Sequence, residues 1–151
     1  MRIAKDGTWL YQGSPITRLP LVKLFASVLR REDDGEYWLV TPAERRRIVV
    51  EDAPFVAVEV TAEGQGREQR LIFRTNVDEI VTADSAHRLR CATDPQSQSP
   101  HPYILVRDRL EARILRPVYY HLVALGEEDG VRFGVWSSGL FFPLGSLNPA
   151  I

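Results

Sequence analysis

Three histidines, a single cysteine and the serines are the residue types through which this chain could bind a metal or attack a substrate. His87, His101 and His121 lie far apart, and no His-x-x-x-His or Cys-x-x-Cys spacing presets two ligands on one element. His121 falls between Val118 and Leu122 and reads as a hydrogen-bonded residue at the edge of a helix core. The acidic runs Asp33-Asp34 and Glu127-Glu128-Asp129 lack the alternating acids, sixth-place Gly and twelfth-place Glu of a calcium loop, and read as solvated turns. Around Gly134-Val135-Trp136-Ser137-Ser138-Gly139 the serines are out of register for a Gly-x-Ser-x-Gly elbow, so a strand end and turn is the simpler reading. Arg88 and Arg90 flank Cys91 and would lower its pKa if they faced it, but a lone small core cysteine fits as well. Gly64-Gln65-Gly66 lacks the third glycine and the strand-to-helix setting of a phosphate loop and reads as a hairpin tip. No metal site, no cofactor and no catalytic residue set is predicted.

The arginines are more informative. Arg45-Arg46-Arg47 lies in a strand, where alternate side chains face opposite sides, and is expected to form a solvated, salt-bridged face. Arg18 sits just before the first helix, and Arg113 and Arg116 sit before Pro117 at the start of the second. A helix start favours anions through its free N–H groups and dipole, and an arginine adds a planar, permanently charged fork. Two readings stand side by side for these residues and for Arg107 and Arg109. Either they hold an anion, or they pair with Asp52, Asp78 or Glu111 and hold the chain together.

The elements that must position these groups follow from period and punctuation. Thr8–Gln12 is rich in strand formers after the Asp6-Gly7 turn, and Gly13-Ser14-Pro15 breaks it. Leu21, Val22, Leu24, Phe25, Val28 and Leu29 keep helical spacing; Pro20 suits the first turn, Thr17 is placed to cap, and Asp33-Asp34-Gly35 is expected to end the helix. Strands are predicted over 36–41, 45–51, 55–61, 69–75, 87–93 and 103–107, with Asp94–Pro100 as an exposed loop. Val118, Tyr119, Leu122, Val123 and Leu125 predict a second helix before Glu128-Asp129-Gly130 and a strand over 131–137. Pro20 to Gly35 is 15 residues and Pro117 to Gly130 is 13, so one small gap aligns helix, Asp-Gly turn and strand in both places. The expected architecture is α+β: two repeated strand–helix–strand units with curved antiparallel sheets, split into residues 1–54 and 55–151 packed as one unit.

The 151 residues carry 19 Lys plus Arg against 20 Asp plus Glu, a net charge of -1 that argues against a dedicated nucleic-acid binder. No apolar run approaches the ~20 residues that span a bilayer, and Met1–Asp6 has no signal-peptide h-region, so a cytosolic location without membrane contact is expected.

The blocks Asp6-Gly7-Thr8-Trp9-Leu10-Tyr11-Gln12-Gly13-Ser14-Pro15-Ile16, Tyr37-x-Leu39-Val40-Thr41-Pro42, Val50-Glu51-Asp52-Ala53-Pro54-Phe55 and Thr75-Asn76 resemble the bacterial family called domain of unknown function 1285. So do Arg107-x-x-Leu110-Glu111-Ala112 and Gly134–Gly145. The resemblance implies a duplicated motif in two subdomains, the second loosely like a pleckstrin-homology barrel. It further implies a site between them for a nucleotide-like ligand in signalling. With it, the expected ligand-binding residues are Arg18, Thr41, Asn76, Arg107, Arg116 and Ser137, and the expected partner is an anionic small molecule. A protein-interaction module anchored by Trp38 or Phe141 is the second reading, and a hydrolase or transferase without a recognisable motif the third.

Overall fold

The structure, a computed structural model, describes residues 1–96 and 99–146; Ser97 and Gln98 of the expected loop and the last five residues of the expected C-terminal unit lie outside the described residues. The N-terminal segment comprises β1 (Arg2–Ile3), β2 (Trp9–Tyr11), β3 (Ser14–Pro15), α1 (Leu19–Ser27), β4 (Leu29–Arg31), β5 (Tyr37–Val40) and β6 (Arg45–Val50). They form one sheet in the order β3-β2-β1-β6-β5-β4. The C-terminal segment continues with β7 (Phe55–Glu63), β8 (Arg70–Thr75), β9 (Ile80–Thr82), β10 (Leu89–Thr93), β11 (Pro100–Arg107) and β12 (Leu110–Ile114). These pair in the order β10-β11-β12-β7-β8-β9. Then come α2 (Arg116–Ala124), β13 (Glu127–Asp129), β14 (Arg132–Ser137) and β15 (Leu140–Ser146), the three strands forming a small sheet. The molecule is mostly β, with two short helices and curled sheets that close to a half-barrel, in keeping with the expected α+β class.

The strands form where alternation is strong. β7 pairs with β8 from Ala57↔Thr75 to Glu63↔Arg70, and Phe55, Leu71 and Phe73 are fully buried. A single cluster runs from Ile3, Trp9 and Ile48 through Phe55, Ile104 and Leu110 to Leu122 and Val135, so both segments share one core. Gly134 permits the close crossing of β14 and β15: a Cβ there would strike the Phe142 carbonyl oxygen and lie 2.8 Å from Pro143 Cα.

Several expectations are corrected. The sheets are not purely antiparallel, because β1 joins β6 and β12 joins β7 in parallel. Parallel joins need long crossovers, here α1 with its hairpin and the β8–β11 meander. The first helix stops at Ser27 rather than at Asp33-Asp34-Gly35: Leu29 is fully buried in β4, which pairs with β5 from Leu29↔Leu39 to Arg31↔Tyr37. A ladder that buries Leu29 outweighs the helical spacing that continues through it. Gly35, at φ +85°, instead closes that hairpin, and Asp34 Oδ1 accepts the Glu36 N–H at 2.9 Å. Thr17 is not the cap; Arg18 holds the N-cap position and makes no side-chain cap bond. A strand likewise separates α2 from the Gly130 turn, so each helix is followed by a β-hairpin. Among the described residues no helix is long and apolar enough to cross a membrane.

Candidate functional site

The two segments meet at a polar seam. Lys5 precedes the Asp6-Gly7 turn, which Asp6 rigidifies by accepting the Thr8 N–H at 3.0 Å; that bond holds its carboxyl below the usual range. Asn76 fastens this turn to the C-terminal sheet. Its Oδ1 accepts the Val56 N–H at 3.1 Å and its Nδ2 donates to the Gly7 carbonyl at 3.3 Å. Gly7 is required there, because its φ is +91° and a Cβ would lie 2.9 Å from Asn76 Nδ2.

Facing Lys5, Tyr103 and Arg113 are cross-strand partners on β11 and β12. The Tyr103 hydroxyl donates to Asp52 Oδ1 at 2.6 Å, and burial together with this bond pushes the phenol up to about 12. Asp52 follows β6, so one N-terminal carboxylate ties down two C-terminal side chains. Arg113 Nη2 donates to the Lys5 carbonyl at 2.9 Å. Its Nε lies 3.3 Å from Asp52 Oδ2, but the Nε–H is buried and has no hydrogen-bond acceptor. Behind them Arg90 stacks over the Tyr103 ring at 4.2 Å and grips both Glu111 oxygens, at 2.7 and 2.8 Å.

Lys5, Asp52, Tyr103 and Arg113 line a cleft of about 450 Å³ that also takes in Asp94 and His101. His101 and Arg113 in turn line a smaller adjoining pocket with Arg116 and Tyr119. The two share His101 and Arg113; Arg116 borders the smaller, and Lys5 the larger cleft. Its acids are largely engaged: Glu51 with Arg2 at 3.3 Å, Asp52 with Tyr103 and Arg113, and Asp94 at 3.9 Å from His101. Among the described residues Lys5 and Arg116 have no carboxylate partner; Arg116 bonds the Tyr120 hydroxyl, which raises its pKa further.

The six residues expected from the sequence do not gather in one place. Arg116 borders the smaller pocket beside this cleft, and Asn76 clamps the Asp6-Gly7 turn next to it. Arg107 lines a different cleft between the segments, about 480 Å³; it chelates Glu79 at 3.0 and 3.2 Å and donates to the Ala26 carbonyl at the end of α1. Thr41 closes a turn with the Glu44 backbone and lines a third, apolar cavity. Arg18 is exposed at the start of α1, outside all of these. Ser137 is fully buried, its Oγ accepting the Leu71 N–H at 2.9 Å and donating to the Ala83 carbonyl at 2.7 Å. It knits the small sheet to β8.

Pairing by acids is widespread among the arginines: Arg113 with Asp52, Arg107 with Glu79, Arg109 with Asp33, Arg90 with Glu111. Asp78, an expected partner for that group, pairs instead with Lys23 and Arg74. Burial pushes the Cys91 thiol up, the reverse of activation by Arg88 and Arg90. His121 is exposed rather than at the core edge, because the buried side of α2 is taken by Val118 and Leu122. Trp38 and Phe141 are half-buried, Trp38 beneath Arg45 and Phe141 beneath Arg132 and against Trp136. Among the described residues no cluster of His, Cys, Asp and Glu has the makings of a metal site. Lys5 escaped the sequence reading because a lone lysine before a turn carries no distinguishing pattern.

Comparisons with known proteins find one family. The family model described as DUF1285, N-terminal domain, matches residues 1–53, and that of the DUF1285 C-terminal domain matches residues 54–144. A DUF1285 family protein from Silicibacter pomeroyi DSS-3 superposes with a TM-score of 0.94 at 50% identity, over 99% of this chain and 81% of that one. Another, from Shewanella baltica OS155, gives a TM-score of 0.62 at 28% identity, over 82% of this chain and 89% of that one. No curated protein matches the chain. With both family models covering nearly its whole length, the chain belongs to the DUF1285 family.

Proposed function

We propose that the chain is a small-ligand-binding module that takes an anionic, nucleotide-like molecule in the cleft between its two segments and reports on that molecule in signalling. The observation that carries this reading is the basic rim: Lys5 in the cleft wall and Arg116 in the adjoining pocket lack carboxylate partners, while Arg113 between them is held by Asp52 at 3.3 Å. A phosphate or carboxylate would give these exposed cations charge-assisted hydrogen bonds. The basic groups lie on different elements of both segments, so one anion would bridge them. The same reading includes the duplicated helix and hairpin units, tested by superposing residues 20–41 on 117–137, and the pleckstrin-homology likeness of the C-terminal segment.

Thermal shift against nucleoside mono- and diphosphates and inorganic phosphate tests the site. Lys5→Gln and Arg116→Gln change exposed side chains and leave the core intact. Each is expected to weaken binding by roughly tenfold, the lower end for a hydrogen bond to a charged group. Arg18→Ala, remote from the cleft, leaves the response unchanged. A wild type that responds to none of these compounds, or variants that respond as wild type does, would overturn the proposal.

A further inference from the structure

We propose that the mouth of the N-terminal half-barrel is a second binding site, for a monocarboxylate with an apolar tail whose carboxylate is held by Arg46. Strand alternation sorts the three consecutive arginines of β6. Arg45 and Arg47 point outward and are neutralised by Glu32 and Glu36 of the β4–β5 hairpin, each at 2.7 Å. Arg46 pairs in register with Leu39, which is 6% exposed, and shares its face with Ile48, which is 2% exposed. An arginine therefore stands on the apolar, concave side of the sheet. Its nearest carboxylate, Glu44, is 4.0 Å away and makes no hydrogen bond with it, and both side chains are more than half exposed. Such a pair contributes little.

The space in front of Arg46 is a groove of about 520 Å³ between α1 and the sheet, within the size range of small-molecule sites. Its walls are apolar, with Leu21, Phe25, Val28 and Leu39 prominent, and its polar side chains besides the Tyr11 hydroxyl are Thr41, Glu44 and Arg46. Thr41 is occupied by the Glu44 backbone at 3.1 and 3.3 Å, which leaves Arg46 and Glu44 to meet a head group. α1 supplies one wall because its sequence, Leu19–Ser27, is apolar on every side but those of Lys23 and Ser27. An apolar slot ending at a weakly paired guanidinium fits one long apolar body with one anionic end. This site lies wholly in the N-terminal segment and does not depend on the cleft proposed above.

Titration calorimetry with straight-chain carboxylates from hexanoate to dodecanoate, below their micelle concentrations, tests it directly. Affinity is expected to rise by about fourfold per added methylene until the groove is filled, the gain that burying one methylene brings. Decanol and decylamine separate the head-group chemistries, since Glu44 would favour the amine. Decanoate is expected to bind about tenfold more tightly than either, an advantage Arg46→Gln abolishes without changing the binding of decanol. Leu21→Glu, at a partly exposed wall position, blocks all three, whereas Lys5→Gln in the other cleft changes none. Affinity independent of chain length, decylamine or decanol binding as well as decanoate, or an unaffected Arg46→Gln would each overturn the proposal. The comparison of head groups on the wild type needs no variant and holds whatever Arg46→Gln does to folding.

Discussion

Replacing Tyr103 by Phe probes the seam between the segments, because it removes one hydroxyl and keeps the ring that Arg90 covers. The lost bond, 2.6 Å long and accepted by the Asp52 carboxylate, is worth about 1.5–3 kcal/mol near neutral pH. The phenol itself sets the pH window. Its pKa is raised from 10.0 to about 12 in the folded chain, first by burial and then by Asp52. That rise corresponds to about 2–3 kcal/mol of stability lost when the buried phenol ionises, with burial the larger cause and the Asp52 bond the second. The folded state holds this proton more tightly than the unfolded state does. Its contribution is therefore complete below pH 10 and drains away as the pH rises through 10 to about 12. Urea unfolding of wild type and Tyr103→Phe across that range measures it. The difference between them should be about 2–3 kcal/mol near neutral pH and shrink towards zero above about pH 12. Taking the difference cancels the other groups that titrate there, including Tyr37 and Tyr119, which burial also raises. A difference that stays constant with pH, or one below about 0.5 kcal/mol at neutral pH, would refute the reasoning.

Ser137→Ala should cost about 1–3 kcal/mol in denaturant unfolding, because it strands the buried Leu71 N–H, while the Ala83 carbonyl keeps the Ser138 hydroxyl at 3.0 Å; catalytic involvement is not needed to explain the loss. Arg107→Ala should lower stability by about 1–3 kcal/mol by leaving Glu79 partly buried and unpaired and uncoupling the end of α1, as a shift in unfolding midpoint will show. Its response to nucleotides and phosphate should remain that of the wild type.

The parts of the fold legible in the sequence are those where one period dominates. β7, from Phe55 onward, and β14 were marked by alternation and by the turns beside them. The end of α1 was not legible, because Val28 and Leu29 satisfy the helical stripe and the strand equally, and only pairing with Leu39 decides between them. Short strands such as β1 and β13 have too few residues to show a period, and β1 is what introduces a parallel join. Among the expected site residues, Asn76 was named through the resemblance and Arg116 through its place at a helix start, but nothing local showed that Asn76 would grip Gly7 from 69 positions away. The Arg45–Arg47 run was legible as exposed and salt-bridged, but not which of its members shares a face with the core. Alternation predicted two faces, yet which face met the core depended on the register with β5.

The central claim is that the cleft bordered by Lys5 and Arg113, with the pocket of Arg116 beside it, holds an anion. Native mass spectrometry of gently purified protein, with nucleotides and phosphate then added stepwise, tests it most directly. The account predicts a bound anionic small molecule on the wild type and on Arg107→Ala, retained or taken up at one copy per chain, and lost from Lys5→Glu. A wild type that flies bare and takes up none of these anions, or a Lys5→Glu variant that carries the same adduct, would contradict it.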